Sequence, residues 1–202
     1  MPATNNDKTR KPKLIKDICE ITETVIIAVF TVTLVFTFIF RMATVSGRSM
    51  ENTLFPDDRI VSSTLFYKVE CGDIVIINAD NSVIFDENNN LKYGTGLGKQ
   101  IVKRVIATGG QTVDIDFDKG TVSVDGNILN EEYITGLTHL DEGAFTGMYP
   151  ITIPEGYCFV LGDNRGISKD SRSVEVGLIP EEKISGEVIM VISPFHRFGF
   201  VK

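Results

Sequence analysis

An uncharged apolar run near the N-terminus limits what this chain can fold into more than any other feature. From Thr24 to Phe40 the sequence reads TVIIAVFTVTLVFTFIF, and Ile21, Thr22 and Met42 extend it. At ~1.5 Å per helical residue, these 17 positions nearly match the roughly 30 Å hydrocarbon core of a bilayer. End-residue snorkelling or local thinning closes the difference, and no A-x-A-like cleavage site follows the run. The sequence therefore predicts a single transmembrane helix over 21–42.

The charges that flank this run predict its orientation. The cations that precede it are Lys8, Arg10, Lys11, Lys13 and Lys16. Shortly after it come only Arg41 and Arg48. Because cytoplasmic flanks carry the excess of Lys and Arg, the basic tail, 1–20, is predicted to be cytoplasmic. Residues 43–202 are then predicted to form one domain on the extracytoplasmic side of the cell membrane.

Length, charge and cysteine spacing exclude several classes of protein. The 202 residues allow one domain beyond an anchor. The net charge of -7 argues against a nucleic-acid partner bound through its phosphates. The cysteines Cys19, Cys71 and Cys158 form no CxxC pair, and His139 and His196 have no clustered third ligand. Neither a metal site nor a disulfide framework is predicted.

Beyond Arg41, short β-branched segments separated by turns predict a mostly β domain. The predicted strands are 58–63, 73–78, 100–108, 112–117, 120–124, 157–162 and 186–193. Asp125-Gly126, flanked by TVSV and NILN, predicts a hairpin, since both residues tolerate positive φ. Residues 81–99 are predicted to be a polar excursion, and 130–150 a Gly-rich stretch of a small inserted β-region at about 109–155.

Two features invite a functional interpretation that their context does not support. In Gly94–Lys99, three residues separate the first glycine from the Gly-Lys pair, and Gln100 follows where a P-loop needs Ser or Thr. This segment is predicted to be a flexible loop. His139 lies in the Gly-rich stretch with no strand to fix it, so it is predicted to be a surface histidine.

Three polar stretches carry candidate chemistry. Ser49 lies in VSGRSMENTL directly after the apolar run, although a lone serine in a turn is weak evidence. Lys103 lies in QIVKRVI, where strand alternation places it opposite Val102 and Arg104. If it points into the interior, desolvation favours its neutral form and makes it a possible general base. The alternative is an edge-strand lysine with its ammonium in water. The third stretch, Val160–Arg172, reads VLGDNRGISKDSR.

Together these stretches resemble the type I signal peptidase family. The pattern G-x-S-M-x-x-T-L follows the predicted anchor, K-R-V lies in a strand, and G-D-N-R-x-x-S-x-D-S-R comes last. The resemblance spans Val25 to the C-terminus and includes SPFHRFG, 193–199. This family consists of membrane-bound Ser/Lys proteases that cut signal peptides from exported preproteins. The resemblance implies an antiparallel, barrel-like β-sheet catalytic domain, no cofactor, and preproteins and the lipid bilayer as partners.

The resemblance also implies the chemical roles. Ser49 would be the nucleophile and Lys103 the general base that takes its proton. Ser168 would hydrogen-bond to the Lys103 amine and orient it. The backbone N–H of Ser49 would stabilise the oxyanion. The second donor is open, because Gly47 stands where some family members carry a serine.

Further residues are implied as structural support or as pocket walls. Two ion pairs would hold the strands that bear the catalytic groups: Asp170 with Arg172, and Asp163 with Arg104. Three residues beside the catalytic pair would line shallow substrate pockets: Val45, Met50 and Val102. Such pockets would accept small residues one and three positions before the cut.

The chain departs from the family pattern at two places. Asn52 replaces the usual proline of the serine stretch, and Ala107–Gln111 replaces the common G-x-P-G-D turn. Both changes remove backbone restriction. Neither touches a group that transfers a proton, so activity is expected to persist.

Two other functions compete with a membrane-anchored endopeptidase. A self-cleaving repressor-type Ser/Lys protease would carry an N-terminal DNA-binding domain, where this chain has a predicted anchor. A catalytically silent β-domain that binds preproteins or assembly partners would need a broken Ser/Lys pair. Asn52 is the best support for it, and intact Ser49, Lys103 and Ser168 count against it.

Overall fold

The described part of the N-terminal unit is almost entirely one helix. The computed structural model describes residues 10–64 and 68–201, and the chain divides between Phe40 and Arg41 into two compact units. The first contains α1 (Arg10–Ile39). Among its described side chains, apolar ones are exposed, for example Ile26 at 62% and Phe30 at 63%.

Helix α1 differs at both ends from the segment predicted over 21–42. It begins at Arg10, so residues 10–20 of the predicted tail are helical, and residues 1–9 lie outside the described ranges. It ends at Ile39, and strand β1 (Phe40–Thr44) takes up the last predicted positions. Within 10–64 and 68–201, no helix combines the length and apolar character needed to cross a membrane.

The second unit is built on two β-sheets, and the prediction of a mostly β domain is confirmed. After β1, the strands are β2 (Arg59–Ser63), β3 (Ile74–Phe85), β4 (Leu91–Thr108), β5 (Thr112–Asp116), β6 (Thr121–Val124), β7 (Asn127–Ile128), β8 (Ile151–Thr152), β9 (Tyr157–Leu161), β10 (Ile179–Pro180), β11 (Ile184–Ser193) and β12 (Gly199–Phe200). The larger sheet has the order β1-β2-β11-β3-β4-β9-β10, and β12 pairs with β11. The pairings of β2 with β11, β3 with β4, and β4 with β9 are antiparallel.

The smaller sheet lies within the predicted insertion, 109–155. Its order is β7-β6-β5-β8, with antiparallel neighbours. The predicted hairpin connects β6 and β7, where Val124 pairs with Asn127. Asp125 and Gly126 have φ values of 52° and 78°, so both turn residues adopt the left-handed region that this hairpin requires.

The polar excursion predicted over 81–99 is wrong, because β3 and β4 continue through it as a long hairpin. Phe85 pairs with Leu91 at its closed end. A Cβ at Gly96 would lie 2.5 Å from the carbonyl oxygen of Ala79. The glycines that suggested a flexible loop therefore permit a close approach between two strands.

An apolar cluster supports the segment that carries Ser49. Its members come from β2, β3, β11 and the turn between β1 and β2, and they are Val45, Met50, Leu54, Ile60, Ile74, Ile76, Val188 and Val191. Met50 and Leu54 are 1% and 0% exposed. Burying each such side chain contributes about 1.5–3 kcal/mol, so this turn is anchored on the core.

Candidate active site

Ser49 lies in the connection between β1 and β2, where residues 47–54 form what we call the serine turn. Within it, the Leu54 N–H donates to the Met50 carbonyl at 2.7 Å. From outside it, the Asn164 N–H donates to the Ser49 carbonyl at 2.9 Å. Because bonds and buried side chains fix both flanks of Ser49, its hydroxyl has a defined position.

Lys103 lies on β4 and reaches Ser49. Its Nζ donates to the Ser49 Oγ at 2.7 Å and to the Val102 carbonyl at 3.0 Å. The Lys103 residue is 3% exposed. The structure therefore brings the predicted nucleophile and base together, and it contradicts the alternative of a solvated edge-strand ammonium.

The surroundings of Lys103 favour its neutral form. Burial lowers its pKa to about 8, although the carboxylates of Asp170 and Asp163 act in the opposite direction. The cations Lys99 and Arg172 add smaller lowering effects. A lysine amine with this pKa can accept a proton near neutral pH.

Ser168 is buried beside this pair, but its predicted bond to Lys103 is not formed. Its hydroxyl has no hydrogen-bond partner within the described ranges. A Cβ at Gly162 would lie 2.1 Å from the Ser168 Oγ and 2.5 Å from the Ser49 carbonyl oxygen. Both serines thus pack against one glycine, which only a residue without a side chain allows.

The predicted pair of Asp170 and Arg172 is present and fully buried. Arg172 Nε and Nη2 donate to the two carboxylate oxygens at 2.8 and 2.9 Å. Burial alone would raise the pKa of Asp170, but the hydrogen bonds and charge of Arg172, together with the Gly162 N–H, outweigh burial and lower that pKa. Asp170 also accepts the Gly162 N–H at 3.0 Å. The pair therefore fixes the end of β9 next to the catalytic candidates.

The predicted pair of Asp163 and Arg104 is also present. Arg104 Nε and Nη2 donate to the Asp163 carboxylate at 2.9 and 2.8 Å, and both residues are buried. Arg104 Nη1 donates to the Gly72 carbonyl at 2.8 Å. Asp163 also accepts a hydrogen bond from the Thr53 hydroxyl. This network joins β4, the polar turn after β9 and the serine turn.

Two supporting ion pairs were missed by the sequence analysis. Arg165, which is fully buried, pairs with Glu131. Arg197 Nε donates to Asp58 at 3.0 Å, and its Nη2 donates to the Thr53 carbonyl at 2.9 Å. Within Val160–Arg172, Arg165 is the arginine to which no acidic partner was assigned, and this could have drawn attention to it. Nothing in the sequence around Glu131 or Asp58 indicates that these acids pair with an arginine.

A cleft opens beside Ser49 and Lys103, with a volume of about 330 Å³. The three predicted wall residues, Val45, Met50 and Val102, all line it. Ile101 and Ile167 add further apolar surface. A cleft that combines these apolar wall residues with polar ones and reaches the hydroxyl–amine pair can hold an extended peptide.

Other predicted features lie apart from this cleft. His139 is exposed, as predicted, and its Nδ1 hydrogen-bonds with the Phe117 carbonyl at 2.8 Å. The three cysteines are free, with Cys158 buried. In the described parts of the chain, no three His, Cys, Asp or Glu residues cluster as metal ligands would.

Comparisons with known proteins agree with the geometry. The family model for signal peptidase, peptidase S26, matches residues 18–193. Signal peptidase I T of Bacillus subtilis (strain 168) is 34% identical over 206 residues, which cover 98% of this chain and 97% of the relative. Signal peptidase IB of Staphylococcus aureus (strain MRSA252) is 32% identical over 197 residues, which cover 92% and 94%.

A solved structure is also similar to this chain. The crystal structure of a signal peptidase I from Enterococcus faecalis V583 is 25% identical, covers 60% of this chain and 97% of its own, and has a TM-score of 0.41. The match to the family model and the two full-length relatives decide the assignment. The chain belongs to the signal peptidase I family, peptidase S26.

Proposed function

We propose that this protein is a serine endopeptidase that removes N-terminal signal peptides from exported preproteins, with Ser49 as nucleophile and Lys103 as general base. The observation that carries the proposal is the 2.7 Å contact between the Lys103 Nζ and the Ser49 Oγ in a buried site. An intact and connected pair gives no support to a catalytically silent binding domain.

The mechanism is acyl transfer. The neutral Lys103 amine takes the Ser49 proton as the Oγ attacks the scissile carbonyl, and it then passes that proton to the leaving amine. A water molecule activated by the same amine hydrolyses the ester on Ser49. The Ser49 N–H is the expected oxyanion donor. Gly47 offers no side chain for a second bond.

The supporting residues are assigned to orientation. The pairs Asp170–Arg172 and Asp163–Arg104 hold the backbone around Lys103 and Ser49. The buried Ser168 hydroxyl lies against Gly162, as the Ser49 carbonyl oxygen does, and we assign it to orienting the Lys103 amine. Val45, Met50 and Val102 would select small substrate side chains.

We also assign α1 to a single-pass anchor in the cell membrane, with the N-terminus in the cytoplasm. The 17-residue run Thr24–Phe40 has no charge. Within α1, the hydroxyls of Thr33 and Thr37 donate to carbonyls four residues earlier at 2.8 and 2.7 Å. Threonines that satisfy their own hydroxyls in this way are compatible with lipid. An anchored enzyme meets signal peptides at a raised effective concentration.

Cleavage of a preprotein tests the enzymatic part. The purified full chain in detergent should cut a preprotein at the end of its signal peptide, and Ser49→Ala and Lys103→Ala should reduce the rate to background. Asn127→Ala, on the exposed β6–β7 hairpin, is the matched control and should cut normally. Undiminished cleavage by Ser49→Ala or Lys103→Ala would refute the assignment.

Thiol labelling tests the topology. Cys71 is exposed and follows the predicted anchor, and Cys19 precedes it. In intact cells, a membrane-impermeant maleimide should label the protein, and Cys71→Ser should abolish that labelling. Labelling that depends on Cys19 instead would place the N-terminus outside and reverse the proposed orientation.

A further inference from the structure

The serine turn is bonded to a segment that the catalytic chemistry does not use. We call residues 131–135 of the insertion the strap. The Asn52 Nδ2 donates to the Ile134 carbonyl at 3.2 Å. The Thr135 Oγ1 donates to the Glu51 carbonyl at 3.1 Å. Two consecutive strap residues therefore bind two consecutive residues of the serine turn, directly after Ser49 and Met50.

The strap also binds residues 163–165, which begin the polar turn after β9. The Thr135 N–H donates to the Asp163 carbonyl at 2.8 Å, and the Arg165 N–H donates to the Thr135 carbonyl at 3.2 Å. These bonds form a parallel bridge between Thr135 and Asn164. Asn164 is the residue whose N–H holds the Ser49 carbonyl. The strap thus restrains the serine through two separate routes.

Buried charge fixes the strap itself. The side chains of Arg165 and Glu131, which form an ion pair, are 0% and 6% exposed. The Tyr133 ring lies 4.0 Å from the guanidinium carbon of Arg104. Ion pairs and ring contacts of this kind set geometry because their partners tolerate little displacement. The strap is consequently a rigid support for the residues it contacts.

The position of Asn52 gives these contacts a functional meaning. A proline, usual there in the pattern that this chain resembles, would restrict φ covalently. Asparagine does not restrict φ in this way. Instead, the hydrogen bond from its side-chain amide to the Ile134 carbonyl of the strap restrains the serine turn non-covalently. We propose that Asn52 and Thr135 are positioning residues that hold Ser49 in its attacking geometry from outside the serine turn. This inference rests on the proposed function and adds positioning residues to that site.

Kinetics of the full chain in detergent test this inference. Asn52→Ala and Thr135→Val should each lower kcat for one preprotein about fivefold, with KM within about twofold, because reaction geometry is lost and substrate binding is not. The double variant should fall by less than the product of the two effects, because both act on one restraint. Thr135→Ser, which keeps the hydroxyl, should recover kcat, and the exposed Asn127→Ala is the matched control.

All variants are compared well below their melting temperatures, measured by circular dichroism, so that partial unfolding does not lower kcat. Wild-type kcat in Asn52→Ala and Thr135→Val overturns the inference. So does a loss that Thr135→Ser shares, or one that appears as a raised KM. If Thr135→Val fails to fold, the exposed Asn52→Ala decides alone. Cleavage unaffected by Ser49→Ala would instead refute the proposed function, so the two failures are distinguishable.

Discussion

The rate of preprotein cleavage should follow the titration of Lys103. The amine must be neutral to accept the Ser49 proton, and burial lowers its pKa from 10.5 to about 8. At this pKa the neutral fraction is about 10% at pH 7, about 50% at pH 8 and about 90% at pH 9. A free lysine is only about 0.03% neutral at pH 7. Burial therefore raises the reactive fraction by roughly 300-fold at neutral pH.

The assay is kcat/KM of the full chain on one preprotein across pH 6–10 in a constant-ionic-strength buffer. We expect an increase of about ninefold from pH 7 to pH 9, with a midpoint near the pKa of the free enzyme. Lys103→Arg is the informative variant, because a guanidinium remains charged throughout this range, and it should be inactive at every pH.

A flat profile, or a midpoint at 10 or above, would show that burial does not neutralise this amine. Activity of Lys103→Arg above background would refute the assignment of Lys103 as the base.

Three further outcomes follow from the same contacts. The folded-state pKa of Lys103 is lowered, so between about pH 8 and 10.5 the unfolded chain binds more protons than the folded chain. The free energy of unfolding of the wild type should therefore rise with pH across this range. Relative to Lys103→Met, urea unfolding should show an increase of up to about 3 kcal/mol. Asp170→Asn leaves the buried Arg172 charge without its partner, and chemical denaturation should show a loss of about 3–5 kcal/mol. Gly162→Ala places a methyl group 2.5 Å from the Ser49 carbonyl, so preprotein assays should show a large loss of kcat and calorimetry a destabilisation of about 1–3 kcal/mol. The first expectation is contradicted if wild-type stability does not rise with pH relative to Lys103→Met. The other two are contradicted by wild-type stability of Asp170→Asn, or by wild-type kcat or stability of Gly162→Ala.

The residues that meet at the candidate site could be predicted from the sequence, because the family resemblance depends on particular residue types. Ser49, Lys103 and the two acid–arginine pairs lie in three short stretches whose order carries the family resemblance. The environment of Lys103 could not be predicted from its strand alone. Strand alternation predicted which face of β4 carries Lys103. How deeply that face is buried depends on β3 and β9, which flank β4 in the sheet.

The hairpin of β3 and β4 was missed for a different reason. Glycine-rich, polar segments are typical of loops. Here Gly96 faces the backbone of Ala79, and pairing with β3 overrides the local preference. Tertiary pairing of this kind has no signature in a single strand.

The supporting pairs of Arg165 and Arg197 show the same limit at longer range. Each arginine bonds a carboxylate far away in the chain, Glu131 or Asp58. Neither helical nor strand periodicity relates such positions. The contacts of Asn52 with the strap and of Thr135 with the serine turn could not be predicted either. Only the unusual residue at position 52 indicated the place.

The most direct test of the account is the identity of the side chain that becomes acylated. The full chain, mixed with excess preprotein and quenched in acid within one turnover, should yield a proteolytic fragment containing Ser49 with the added mass of the signal peptide. Ser49→Ala should yield no such adduct and no cleavage. An adduct on any other side chain, or signal-peptide release by Ser49→Ala at the wild-type rate, would contradict the account.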